Sequence, residues 1–475
     1  MEWRNALMFY TTNKIGFFMM VGVMIGIALG GGLKVIEKDL TPRHIMYIGF
    51  PSEILIQMLE AIGVPLFVVS LAITFASLEK GISTLIRLEL LLYCLSTKIF
   101  TAAMSILLAL AVKPGKGHER SKDIPEISYK ESMPFTIEED NVLDLVRNAF
   151  PDNWILTSME RSISKISYNA TEDKLSFGLD TTEPANIIGL ISVSVVVGVS
   201  MRMVKHGSQA FMDFLTCVLN VLLIIFRWMY FITPALLISL TARETIRVGP
   251  ISFITAVCLY VVVWVICIII QVLIYYPLLY LAFVRRNPFV FYKLLRKDIL
   301  GALRTSSTRE ISDSLRSTLK EDCELNSRIV DSVLPMTLLL NKDGCCVHMG
   351  IAYILTAEYS GIPLHVHHYI TVFYLTLMGS VAVVGIPQGT LMFMTAFLRG
   401  ATIPVYSICI LFTVDWLLDR FCTFINMLGT ALGMAILDSF NTDIPPQEAE
   451  EEEGRTDENE EELNVQQYEA KEQEV

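Results

Sequence analysis

Six apolar stretches, Ile15–Leu33, Ile48–Leu78, Leu88–Val112, Ile187–Val204, Ala210–Leu240 and Ile251–Phe283, match the run of about 20 residues that a helix needs to cross a hydrocarbon core. Inside lipid a segment has to satisfy its own backbone polar groups, so stretches of this length read as membrane-spanning helices. The first could pass for a signal peptide. Its length, and the lack of a convincing small-residue cleavage site after it, favour a helix. Composition agrees: with 53% hydrophobic and 18% charged residues and a mean hydropathy of +0.52, the chain is too apolar for an ordinary soluble enzyme and reads as a polytopic membrane protein.

The net charge of −12 belongs to one end. Asn441–Val475 holds 14 acids and two bases, leaving 35 of each sign in the rest. That tail is too polar to bury a core and is expected to be disordered, either as a solubilising cytoplasmic tail or as a partner-binding acidic motif. The one long polar insert, 113–186, contains the sequon Asn169-Ala170-Thr171 and no cysteine. Three spans place it opposite the N-terminus. Lys14, Lys80, Arg87 and the basic cluster from Arg285 to Lys297 mark the cytoplasmic side, so the sequon falls outside. The nine cysteines lie mostly in apolar spans and make no disulfide framework.

Beyond Phe283 the simple pattern breaks. Gly301–Ser317 is too polar to cross alone, and Thr376–Met394 is apolar but interrupted by Gly379, Gly385, Pro387 and Gly389. Both suit re-entrant hairpins that show backbone to a buried cavity, with a cytoplasmic loop and a kinked helix as the alternatives. In the last span Asp415, Asp419, Cys422, Thr423, Asn426 and Thr430 fall within a sector of roughly 100° at about 100° per residue. Carboxylates in a span cost roughly 2.5 kcal/mol or more each, so this stripe is expected to line a cavity.

Asn-Pro-Phe-Val-Phe at 287–291, the Ser/Thr-rich hairpin, Asn341-x-Asp343-Gly344, Gly385-Ile386-Pro387-Gln388 and Asp415-Trp-Leu-Leu-Asp419-Arg420 occur in this order. Together they resemble the glutamate and neutral amino acid transporter family, the dicarboxylate/amino acid:cation symporters, over about Phe17 to Phe440. The resemblance implies an all-α polytopic membrane protein with eight transmembrane helices, two re-entrant hairpins, a static scaffold and an elevator-type transport part, assembled as a homotrimer in the plasma membrane. It implies this organisation: a cytoplasmic N-terminus at 1–14, helices one to three at 15–112, the extracellular insert at 113–186, helices four to six at 187–286, hairpins and last two helices forming the substrate and ion core at 287–440, and a cytoplasmic tail at 441–475.

The likeness also implies site residues. Ser306, Ser307, Thr308, Cys345, Gly385, Asp419, Cys422, Thr423 and Asn426 form the substrate set, with Asp419 on the substrate's α-amino group and Asn426 near its α-carboxylate. Thr97, Lys98, Asn341, Lys342, Asp343, Asn426 and Thr430 occupy the ion-site positions. Departures from the family pattern have a direction. Lys342 replaces a methionine, Cys345 a threonine, Cys94 a tyrosine, Lys98 a hydroxyl and Thr430 a sodium-binding aspartate, so sodium as coupling ion is in question. A pair between Asp343 and Lys98 or Lys342 would supply a built-in cation; the alternative is that the lysines snorkel away. Cys422 stands where acidic-substrate members carry the arginine that clamps a side-chain carboxylate, and a thiol cannot replace a bidentate guanidinium. Small neutral amino acids are therefore the expected substrates. The paired cysteines could instead bind metal or sense redox state. In the hairpins Arg309, Glu310 and Asp313 are atypical, and Ala382 stands for a usual glycine.

His365, His367 and His368, in an expected outside loop, could bind zinc. A transport-deficient anion-conducting or regulatory relative, and a membrane receptor or structural protein with a recruiting tail, are the other functions carried. No phosphate loop, zinc-protease helix, nucleophile elbow or basic nucleic-acid surface is present, so neither enzyme nor nucleic-acid binder is expected, and no cofactor.

Overall fold

The computed structural model describes residues 2–36, 41–77, 84–115, 138–169, 174–182, 185–204, 208–383, 385, 389–400 and 408–441. The chain is mostly helical. Among these residues six helices are long and apolar enough to cross a membrane, and a seventh apolar helix, Ile187–Met203, is shorter.

Helices α1 (Glu2–Ile36), α2 (Pro42–Ala76), α5 (Ile187–Met203) and α6 (Ser208–Val248) pack together. Gly22, Gly26 and Gly30 recur every fourth residue on α1 and bring it against the α6 backbone; a Cβ at Gly26 would come within 2.8 Å of the Ile238 carbonyl oxygen. Small residues at this spacing are the usual device for close helix contact in lipid, where burial alone gives no drive for association. Capping sets the starts. Thr41 precedes Pro42 and accepts from the His44 amide, and the Asn186 side chain accepts from the Gly189 amide at 2.8 Å.

The insert corrects the all-α expectation. After α4 (Glu138–Ala149) the strands β1 (Arg161–Asn169) and β2 (Lys174–Thr182) pair antiparallel, Arg161 opposite Thr182 and Asn169 opposite Lys174. Leu175, Phe177 and Leu179 on β2 alternate with polar or small residues at the period of a strand, a signal hidden by reading the insert only as polar. Asn148 of α4 donates to the Ser162 carbonyl and accepts from its amide at 2.8 and 2.9 Å, fixing the helix to β1. Residues 170 and 171 of the sequon, and the tail from 442, lie outside the described residues.

The second group is built around α3 (Thr84–Val112). The sixth span runs as α7 (Pro250–Ile269), a π-helical turn at Ile270–Tyr275, and α8 (Tyr276–Phe283). After α9 (Pro288–Leu294), α10 (Arg296–Thr305) ends at Ser306, whose φ of 53° is left-handed, and α11 (Ser312–Ser317) leads into a second π-helical turn at Thr318–Asp322. The first hairpin thus starts at Arg296, five residues before the expected Gly301. Arg420 anchors it by donating to the Leu303 and Arg304 carbonyls at 3.0 and 3.3 Å. Helix α12 (Ser327–Leu340) stops at Asn341 and Lys342, both non-helical, before α13 (Asp343–Tyr359). In the second hairpin α14 (Val366–Ala382) ends on extended Val383 and α15 (Gly389–Gly400) follows, so the helix stops instead of kinking; residues 384 and 386–388 at the turn lie outside the described residues. α16 (Cys409–Phe440) and α13 are buried along almost their whole length. Because α13 packs on α3, α14, α7 and α16, the interrupted helix sits at the centre of this group.

Candidate functional site

Three elements meet at Asp343. Its carboxylate is fully buried and accepts from the Thr97 hydroxyl of α3 at 3.2 Å and the Tyr276 hydroxyl of α8 at 2.9 Å. Gly429 on α16 makes room for this meeting, since a Cβ there would come within 2.6 Å of the Tyr276 hydroxyl and 2.5 Å of Asn341 Nδ2. Tyr93 closes the other side by donating to the Gly429 carbonyl at 2.6 Å. Both amide atoms of Asn341 and the hydroxyl of Thr430 are buried without a hydrogen-bond partner. A buried polar atom left unpaired costs about 1–3 kcal/mol. Oxygens of this kind beside a carboxylate have the chemistry of a hard cation's ligand set. Asp343 and Asn341 thus bring a carboxylate and an unpaired amide oxygen to the helix break, and Thr430 an unpaired hydroxyl on α16.

The expected lysine pair with Asp343 does not form. Lys98 and Lys342 are both buried, so neither snorkels out; among the described residues neither makes a direct ion pair with Asp343, although the Lys98 ammonium is near enough for its charge to act on that carboxylate. Each ammonium is taken up by a hydroxyl of a hairpin. Lys98 Nζ donates to Ser380 Oγ of α14 at 2.7 Å, and Lys342 Nζ donates to Thr308 Oγ1 at the first hairpin's turn at 3.2 Å. Opposite charge near in sequence gives no direction: Lys342 leaves the broken helix on a different side from its neighbour Asp343, because the backbone there is non-helical.

The polar stripe is buried: Asp415, Asp419, Cys422, Thr423, Asn426 and Thr430 all face the interior. Asn426 Oδ1 accepts from the Gly344 amide at 2.8 Å, tying α16 to the first turn of α13. The thiols of Cys345 and Cys422 meet at 3.5 Å, with Thr390 of α15 and Asn426 donating to Cys345 Sγ at 3.5 and 3.6 Å. The two hairpins touch where Ser307 Oγ donates to the Gly385 carbonyl at 3.1 Å. Ser306, Ser307 and Thr308 are buried there. A cavity of 330 Å³ opens beside this contact, walled by Ser70, Thr74, Thr308, Arg309, Lys342 and Gly385 among others. It meets the expected substrate set only at Thr308 and Gly385; Asp419, Cys422 and Asn426 do not line it.

Several polar residues at the centre went unread in the sequence. His348 Nε2 lies 3.6 Å from Asp415 Oδ1, with the Tyr260 hydroxyl 3.4 Å from the ring. Gln271, on the π-helical turn, donates to Thr101 at 3.0 Å. A histidine in an otherwise apolar helix was a usable signal for the first; a π turn leaves none. The zinc expectation is corrected. Among the described residues no three His, Cys, Asp or Glu side chains are grouped to hold a metal ion. His365, His367 and His368 begin α14 instead of lying in a loop, and His368 Nδ1 is occupied by the His365 amide at 3.2 Å.

The profile of the sodium:dicarboxylate symporter family matches residues 14–440. Excitatory amino acid transporter 3 of Mus musculus is 26% identical over 464 residues, 93% of this chain and 87% of that protein. Neutral amino acid transporter A of Homo sapiens is 26% identical over 450 residues, 92% and 82% of the two chains. Neutral amino acid transporter B(0) of Homo sapiens is 27% identical over 435 residues, 90% and 80%.

Proposed function

Because the chain belongs to the sodium:dicarboxylate symporter family, a family of multi-pass membrane transporters and not of enzymes, we propose that it is a secondary transporter of small neutral amino acids with altered coupling to sodium. The observation that carries this reading is the buried constellation on α16 in which Asp419 and Asn426 flank Cys422. Asp419 would hold the substrate's ammonium, a buried carboxylate being tolerable once paired. Asn426 and the hydroxyls of Ser306, Ser307 and Thr308 would hold its carboxylate, and Thr423 would border the same space. The side-chain end would then face Cys345 and Cys422. Two compact sulfurs supply no cation and leave a side-chain carboxylate without a partner, and an unpaired buried charge is strongly disfavoured.

Altered coupling rests on the two ammoniums. A bound sodium ion in such a site holds a hairpin by its charge and its oxygen ligands; here Lys98 and Lys342 already bind one hairpin each. Asn341, Asp343, Thr97 and Thr430 would keep a weaker cation site. The proposal includes eight spans, with the interrupted α12–α13 as the seventh, the two hairpins as gates, an elevator motion of the second group against α1, α2, α5 and α6, a homotrimer, cytoplasmic termini, glycosylation at Asn169 and residence in the plasma membrane. The same lysine contacts also favour a second reading, a regulatory or anion-conducting relative whose gates stay shut. The receptor alternative required the family likeness to fail, and the match over residues 14–440 removes that premise.

The test is uptake of labelled neutral amino acids into proteoliposomes, with sodium varied against choline on each side. Uptake that persists in choline is the expected result. Strict sodium dependence would refute altered coupling, and no uptake by protein verified as folded would favour the second reading.

A further inference from the structure

We infer that Cys345 and Cys422 are a dithiol that a peroxide closes to a disulfide, a covalent modification site between α13 and α16. The pair is 77 residues apart in the chain, yet the sulfurs are 3.5 Å apart and both side chains are buried. Their backbones are held close as well. Gly344 packs directly on α16, where a Cβ would come within 2.8 Å of Cys422 Cα, and the Gly344 amide is bound to Asn426. A disulfide needs sulfurs about 2.05 Å apart, so closing the bridge draws the two sulfurs together from 3.5 Å by rotation about their side-chain bonds. The adjacent Cys346 is aimed away, toward the Thr376 carbonyl at 3.7 Å.

The chemistry is directional. Thr390 and Asn426 both point donors at Cys345 Sγ, which favours negative charge on that sulfur and makes it the nucleophile. The Cys345 thiolate attacks one peroxide oxygen, the O–O bond breaks, and the departing hydroxide takes a proton to leave as water. The resulting sulfenic acid is attacked by the Cys422 sulfur, an S–S bond forms, the S–O bond breaks, and the second oxygen leaves as water. Two thiols are oxidised by two electrons and one peroxide is reduced to two waters. Bridging would bind α13 to α16 and abolish both S–H donors at the side-chain end of the pocket; that consequence for transport rests on the proposed function, whereas the bridge does not.

The experiment treats the purified full-length protein in nanodiscs with hydrogen peroxide, denatures it, alkylates free thiols and maps the peptides by mass spectrometry. The expected result is loss of two of the nine thiols into one linked pair of peptides carrying Cys345 and Cys422, reversed by a phosphine. In Cys422→Ser the link is lost and dimedone captures a sulfenic acid at Cys345. If Cys345 and Cys422 stay fully alkylatable while the exposed Cys217 and Cys258 oxidise, the proposal is overturned. Uptake is read on the same samples. A complete bridge with unchanged uptake would leave the dithiol standing and overturn the assignment of these thiols to the substrate pocket.

Discussion

Cys422→Arg converts the proposed neutral pocket into one for acidic amino acids, and the structure bounds the effect. Cys422 is 2% exposed, with Cys345 Sγ at 3.5 Å and Asn426 Nδ2 at 3.7 Å. A guanidinium there would make two charge-assisted hydrogen bonds to a side-chain carboxylate, together about 3–6 kcal/mol. Its extra volume overpacks the space between α13 and α16 and costs about 1–3 kcal/mol. The net gain for an acidic substrate is roughly 0–5 kcal/mol, centred near 2.5 kcal/mol, or about a sixtyfold increase in affinity at 1.4 kcal/mol per factor of ten. A neutral substrate suffers the overpacking without the gain. The assay is competition between labelled serine and aspartate for uptake into proteoliposomes, read as the aspartate-to-serine ratio and repeated in Cys345→Thr/Cys422→Arg, where the neighbouring thiol no longer meets the new side chain. The reasoning fails if the ratio stays at the wild-type value in a variant that elutes with the wild-type oligomeric state.

Gly344→Ala forces a methyl group against the Cys422 backbone and should destabilise the protein by at least about 1–3 kcal/mol, visible as a lower Tm in detergent; an unchanged Tm would contradict the close approach of α13 and α16. Tyr93→Phe deletes the 2.6 Å bond to the buried Gly429 carbonyl and should cost about 1–2 kcal/mol in the same assay. Thr430→Asp adds a carboxylate among the unpaired oxygens near Asn341 and should make thermal stability rise with sodium more steeply than in wild type, with choline as the control. At the insert-facing start of α14, burial and the neighbouring His367, His365 and Arg161 push His368 down to about 4. With an ordinary value of 6.5 in the unfolded chain, the unfolded state binds the extra proton between pH 6.5 and 4, so stability is full above pH 6.5 and falls through that window by up to about 3 kcal/mol. His368→Gln should flatten the fall measured by thermal unfolding across that range.

What was legible in the sequence follows from which forces act locally. The long spans announce themselves because lipid demands unbroken apolar length, and the stripe on α16 was readable because helical geometry alone puts Asp415, Asp419, Cys422 and Asn426 on one face. The break at Asn341 and Lys342 was not legible in this way; Asn341-x-Asp343-Gly344 stood out only through its resemblance to the family. Partners were another matter. Thr97 meets Asp343 across 246 residues and Tyr276 meets it across 67, and no local pattern encodes either contact. The lysines show why charge complementarity misleads at this scale: Lys342 adjoins Asp343 in sequence, yet its ammonium turns to the hairpin hydroxyl of Thr308. The β-hairpin of the insert was written in its alternation, but polarity averaged over 74 residues concealed it.

The lysine contacts bear on energetics as well as geometry. An ion that binds with substrate and leaves on the far side transfers the free energy of its gradient to the substrate. An ammonium fixed to α3 or to the α12–α13 break does not leave. Carrying one extra positive charge across a membrane at 100 mV is worth about 2.3 kcal/mol in one direction and the same with opposite sign on return, so over a full cycle a tethered charge contributes nothing. In the proposed reading, Lys98 and Lys342 would hold the hairpins through Ser380 and Thr308 in place of sodium without replacing it as a source of work. In the transport reading, concentration of substrate would depend on whatever cation the oxygens of Asn341, Asp343, Thr97 and Thr430 still bind. If that affinity is too low, the same protein exchanges one amino acid for another, because with the hairpins held by the protein's own charges only substrate distinguishes the loaded cycle from the empty one.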